Sequence, residues 1–163
     1  MMPTLALALV AAMFLVPLVL AAGWDLACFR IPNRLTLAMA LLFPLAALLA
    51  PVQVAWGWHV AAGFGVFAAG AGLFAMGLMG GGDVKLMAAA TLWLGLPNLG
   101  AFMLLVSLSG AALTLALLGL RALPIGRGGP LPAVLHAKAG IPYGVAIATG
   151  GILLVWRLPL LGG

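Results

Sequence analysis

Glutamate is absent from this chain of 163 residues, and aspartate occurs only twice, at Asp25 and Asp83. A soluble domain of this length needs a charged and polar outer layer, which two acids and seven Lys or Arg do not supply. Cysteine is nearly as scarce. Cys28 stands alone, which excludes an intrachain disulfide, and with only His59 and His136 beside it a structural metal site is not expected. Without Glu there can be no His-Glu-x-x-His zinc helix, and no organic cofactor is called for by the residues present. The net charge of +5 comes from scattered Lys and Arg, with no basic run and no interleaved aromatics of the kind that stack bases. Nucleic acid is therefore not an expected partner.

What fills the chain instead is apolar: 66% of residues are hydrophobic, against about 45–50% in a soluble domain. A helix crossing about 30 Å of hydrocarbon uses roughly 20 residues. The chain thus reads as one all-α, polytopic membrane domain over 1–163, a bundle of six transmembrane helices with no room for a soluble domain. The expected spans are 3–22, 35–50, 59–79, a short fourth that follows the Gly80–Lys85 interruption and runs to 96, then 101–120 and 140–156. No Lys or Arg precedes the first, which is longer than a signal h-region, so it reads as a retained span. Pro51 ends the second and Pro97, Asn98 and Gly100 mark a turn after the fourth. The fourth is short. From Asp83 to Asn98 a helix rises only about 24 Å, which places its Asp83 end inside the hydrocarbon boundary.

The connections after spans one, three and five hold Arg30, Arg34, Lys85, Arg121, Arg127 and Lys138, and only Arg157 falls on the other side. The positive-inside rule makes the first side cytoplasmic and both termini extracytoplasmic. Trp56, Trp58, Trp93 and Trp156 fall near outer ends and Trp24 near an inner one, as interfacial anchors do.

Ionisable side chains in a membrane are costly and rare unless they serve something. Taken singly, Asp83 can cap the fourth helix and Asp25 can pair with Arg30 or Arg34. Taken together, the only two carboxylates are expected at one depth on one side. Such a pair can share a proton around one water. One carboxylate then takes a proton from the water as it attacks a carbonyl, while the other donates a hydrogen bond to the developing oxyanion. Gly80, Gly81 and Gly82 leave room for an extended peptide beside the turn, although a plain interhelical turn has the same composition. Lys85 lies two residues from Asp83, off its helix face, and reads as solvated or facing lipid phosphate. Pro32-Asn33 reads as a turn with Asn33 capping the second helix. Tyr143, the only tyrosine, is an anchor or a substrate contact. Ser107 and Ser109 lie mid-span, away from both histidines, and bond to their own helix carbonyls, while Cys28 lacks a neighbouring base and reads as a helix-packing residue.

The run Gly80-Gly81-Gly82-Asp83-Val84-Lys85-Leu86 resembles the GxGD motif of intramembrane aspartyl proteases in the form seen in prepilin leader peptidases. Asp25 with Arg30-Ile31-Pro32-Asn33 resembles that family's first aspartate and IPN loop, and Gly140-Ile141-Pro142-Tyr143-Gly144 its last-span PYG motif. The resemblance implies that Asp25 and Asp83 are the catalytic pair. It implies that Gly80, Gly81, Gly82, Lys85, Pro32, Asn33, Pro142 and Tyr143 shape the site or contact substrate. The implied partner is a prepilin or pseudopilin with a short basic leader before a hydrophobic helix, cut at the cytoplasmic face of the bacterial inner membrane. Larger members carry a paired-cysteine domain after the first span and also methylate the product. That connection is short here and Cys28 is single, so the resemblance is to the peptidase-only form associated with tight-adherence (Flp) pili, without methyl transfer. The competing class is a small transporter or pilus-assembly membrane protein whose aspartates relay protons or pair with basic residues.

Overall fold

A backbone surrounded by lipid has to satisfy its own polar groups, and a helix does so within one segment. The computed structural model, which describes residues 4–50, 52–123, 132–136 and 139–162, is accordingly helical, with no strand among the described residues. Five α-helices follow one another: α1 Thr4–Cys28, α2 Asn33–Leu49, α3 Trp56–Ala75, α4 Gly81–Ala122 and α5 Tyr143–Leu153. Short 3-10 turns lie at Ala133–Leu135, Val155–Arg157 and Pro159–Leu161. Helices α1, α3 and α4 are long and apolar enough to cross a membrane, while α2 and α5 are shorter. Pro51, Arg127 and Lys138, which entered the expected boundaries and charge count, lie outside the described residues.

The helix count is five where six spans were expected, because the fourth and fifth run together as the 42 residues of α4. They meet at Gly95, whose φ of 71° and ψ of 174° are non-helical, a conformation open almost only to glycine. The break thus precedes Pro97 and does not use the Pro97–Gly100 turn. The polar groups it frees are met by side chains: His59 Nδ1 bonds to the Leu92 carbonyl at 2.8 Å, and Asn98 Nδ2 donates to the Leu94 carbonyl at 3.1 Å. The segment 81–94 rises about 21 Å, short as expected. Two further boundaries differ. Helix α1 runs on through Trp24 and Asp25, past the expected end of the first span at 22, and the last helix is only 11 residues, followed by 3-10 turns.

Helix α4 is the hub, with α2, α3 and α5 packed on it, while α1 packs on α2 and α5. At its centre Trp93 is fully buried, within 5.6 Å of the Phe14 ring and 5.9 Å of the Phe43 ring, and its indole N–H donates to the Met39 carbonyl at 2.8 Å. It is a core residue and not the interfacial anchor expected, because the break at Gly95 turns this stretch into the bundle. The outer surface is as apolar as the core: Leu48 is 80% exposed and Phe64 and Leu115 are each 71% exposed. That inversion suits lipid as solvent.

Candidate active site

Asp25 stands one turn from the end of α1, buried at 6% exposure. Its helix stops at Phe29, which has a φ of 52° and donates its N–H to the Asp25 carbonyl at 2.8 Å. A bulky residue rarely adopts such a φ, and here it turns the chain sharply into the Arg30–Asn33 loop. The carboxylate of Asp25 does not pair with Arg30 or Arg34. Its Oδ2 accepts the Gly144 backbone N–H at 2.8 Å, a bond that reaches from α1 to the first turn of α5. The Arg34 guanidinium instead lies 5.4 Å from the centre of the Trp24 ring.

Asp83 is half-buried in the first turn of α4, whose N-cap is Gly80. It sits at the third helical position, the place of a capping-box acid, with its carboxylate folded back over Gly80. A Cβ on Gly80 would sit 2.6 Å from Asp83 Oδ2, so only glycine leaves the carboxylate its place. The two aspartates share one end of the bundle, joined through Ile31 and the first turn of α5.

Ile31 wedges the pieces together. A Cβ on Gly82 would lie 3.0 Å from Ile31 Cβ, and one on Gly144 would lie 3.0 Å from Ile31 Cδ1, 3.0 Å from Asp25 Cβ and 2.9 Å from Asp25 Oδ2. The loop of Ile31, the glycine run before Asp83 and the start of α5 therefore meet in one place, although 119 residues separate Asp25 from Gly144. Pro32, not Asn33, is the N-cap of α2 and makes no side-chain cap. Asn33 is left to accept a 2.9 Å bond from Lys85 Nζ, which ties the start of α2 to the first turns of α4. Gly81 packs against the Phe74 ring, Pro142 is buried as the N-cap of α5, and the half-exposed Tyr143 lays its ring on Gly110.

Three contributors were not singled out from the sequence: the Gly144 N–H, Ile31 and Arg121. Arg121 donates from Nε and Nη2 to the Val134 carbonyl at 3.1 and 2.8 Å, and from Nη2 to the Gly140 carbonyl at 2.9 Å. It thereby secures the chain that leads into α5 and so the donor to Asp25. A basic residue closing a long apolar run just before a Gly- and Pro-rich stretch was the available signal. Ser107 bonds the Met103 carbonyl of its own helix at 2.8 Å, as expected of a span serine. Cys28 is exposed, so it does not serve in helix packing.

A family model described as the type IV leader peptidase family matches residues 6–115. The chain belongs to that family. No curated protein and no solved structure matches it. The leader-peptidase match contains Asp25, the Pro32-Asn33 loop and Gly80–Lys85, and it ends before Gly140–Gly144. That last motif is joined to the others by the Gly144–Asp25 bond and the contact with Ile31. Family membership makes a peptidase the function class, and with three long apolar helices the molecule is a leader-peptidase-type membrane protein.

Proposed function

We propose that the chain is an intramembrane aspartyl endopeptidase that removes the short basic leader of Flp-like prepilins or pseudopilins at the cytoplasmic face of the bacterial inner membrane. Asp25 and Asp83 carry the reaction with one water. The ionised carboxylate accepts a proton as the water attacks the scissile carbonyl, the protonated one donates a hydrogen bond to the carbonyl oxygen as it becomes an oxyanion, and the accepted proton passes to the leaving nitrogen as the C–N bond breaks. The Gly144 N–H orients Asp25, and the Gly80 to Gly82 run makes room for an extended substrate beside Asp83. In this reading the segments 81–94 and 96–122 of α4 cross separately, both termini are extracytoplasmic, and the basic residues beside the aspartates mark the cytoplasmic side. Methyl transfer is not part of the activity.

The observation that carries the proposal is that the glycine run before Asp83 and the α5 turn that holds Asp25 both pack on Ile31, which brings the elements bearing the only two acidic side chains to one end of the bundle. The test is mass spectrometry of a prepilin co-expressed with wild type, Asp25→Ala, Asp25→Asn, Asp83→Ala or Asp83→Asn. Wild type yields leader-free, unmethylated product, and all four variants insert normally but leave the precursor intact. Cleavage by any of the four overturns the catalytic assignment, and N-methylated product made by this chain alone overturns the peptidase-only reading.

A further inference from the structure

Helices α2 and α3 both lean on α4, and they touch each other near one end through Phe43, whose ring lies 5.4 Å from the Trp56 ring and 5.2 Å from the His59 ring. From that contact they diverge towards the aspartate end. The wedge between them is a groove of about 870 Å³, within the size range of small-molecule sites. Its floor is low because Gly63 of α3 lies against α4, where a Cβ would stand 3.2 Å from Leu92 Cβ and 3.3 Å from the Ala88 carbonyl. Leu37 of α2 and Phe64 of α3 line it from the two helices, and Asn33, Arg34 and Lys85, at the starts of α2 and α4, line its mouth at the aspartate end.

The groove is amphiphilic in one direction: apolar along its length, cationic at its mouth, with no acid in its lining. Lys85 uses one of its three donors on Asn33, and the Arg34 guanidinium lies 5.4 Å from the Trp24 ring of α1 with its donors otherwise uncommitted among the described residues. A polypeptide with a basic leader meets repulsion at such a mouth, whereas an anionic amphiphile is complementary along its whole length. Basic pockets between membrane helices bind anionic lipid headgroups on this physical basis. We propose that the groove holds one anionic glycerophospholipid, its phosphate between Arg34 and Lys85 and an acyl chain on the floor of Gly63, Ala88 and Leu92. Lipid bound there ties α2 to α4 two residues from Asp83. The site itself stands on the groove; that its lipid comes from the cytoplasmic leaflet rests on the orientation proposed above.

The test is native mass spectrometry of the purified, detergent-solubilised chain titrated with dioleoylphosphatidylglycerol or dioleoylphosphatidylcholine. Two cations at the mouth lead to a preference for the anionic lipid of roughly 30-fold in wild type. An Arg34→Gln/Lys85→Gln double variant loses that preference, and Ala88→Phe, which fills the floor, weakens both lipids. Asp83→Asn keeps the lipid while losing cleavage, so the outcome is independent of the peptidase assignment. Equal binding of the two lipids by wild type overturns the proposal, as does a preference that survives the double variant. Displacement of the lipid by inorganic phosphate alone, or by a hydrophobic prepilin-type peptide, reassigns the groove and equally overturns it.

Discussion

Gly144→Ala is a one-carbon perturbation aimed at the bond that orients Asp25. The new Cβ lies 2.9 Å from Asp25 Oδ2 and 3.0 Å from Asp25 Cβ. The second contact is close to the α1 backbone and cannot be relieved by a side-chain rotation alone. Either α5 or the Asp25 carboxylate has to move by several tenths of an ångström, and the 2.8 Å bond from the Gly144 N–H lengthens or breaks. Hydrogen bonds to charged groups contribute about 1.5–3 kcal/mol, which at about 1.4 kcal/mol per factor of ten corresponds to a fall in kcat/KM of about 10- to 150-fold. The assay is leader removal from a prepilin in detergent or liposomes, followed by mass spectrometry over time. Gly65→Ala is the control, since a Cβ there meets nothing within 4 Å. It retains wild-type activity. If Gly144→Ala remains folded and cleaves at the wild-type rate, the idea that this backbone donor sets the position of Asp25 is wrong.

Other substitutions probe the scaffold. Gly95→Ala forces an L residue into a φ of 71° and drives its Cβ to 3.1 Å from the His59 ring, a destabilisation of about 1–3 kcal/mol that appears as a lower midpoint on unfolding in detergent. Trp93→Phe removes the donor to the Met39 carbonyl and lowers stability by about 1–3 kcal/mol in the same measurement, with the leader-cleavage site on the substrate unchanged. Arg121→Ala frees the Val134 and Gly140 carbonyls. It speeds limited proteolysis of the chain before α5 and lowers kcat, and Arg121→Lys restores the loss only in part because an ammonium lacks the planar fork. Ser107→Ala, which removes a hydroxyl bonded to its own helix, leaves cleavage at the wild-type rate in the mass-spectrometric assay.

The candidate site was legible to an unusual degree because scarcity points: with two acids in the whole chain, a carboxylate mechanism had only Asp25 and Asp83 to use. Their flanking motifs were legible for the same reason, since polar and glycine-rich breaks stand out against uniform apolar runs. The partners of the aspartates were harder to read. A backbone N–H has no signature in sequence: the PYG-like run marks Gly144, but nothing in it shows that the Gly144 N–H reaches Asp25. Asn33 shows the same limit. Its type suits a cap, but the cap position fell to Pro32 and its amide oxygen went to Lys85. Trp93 was misplaced because hydropathy cannot tell lipid from protein interior; both are apolar, and only the packing of α1 and α2 against α4 decides between them.

Composition alone determined that this chain lives among helices in lipid, since so few charges cannot clothe a surface facing water and an unpaired backbone cannot face hydrocarbon. Spacing marked which short breaks are candidates to carry chemistry. Tertiary structure decided the rest: that α4 breaks at Gly95 and not at Pro97, that Ile31 joins three breaks distant in sequence, and that Asp25 is held from α5. These depend on which apolar face meets which, and a helix that is apolar on every side does not record that choice in its own residues.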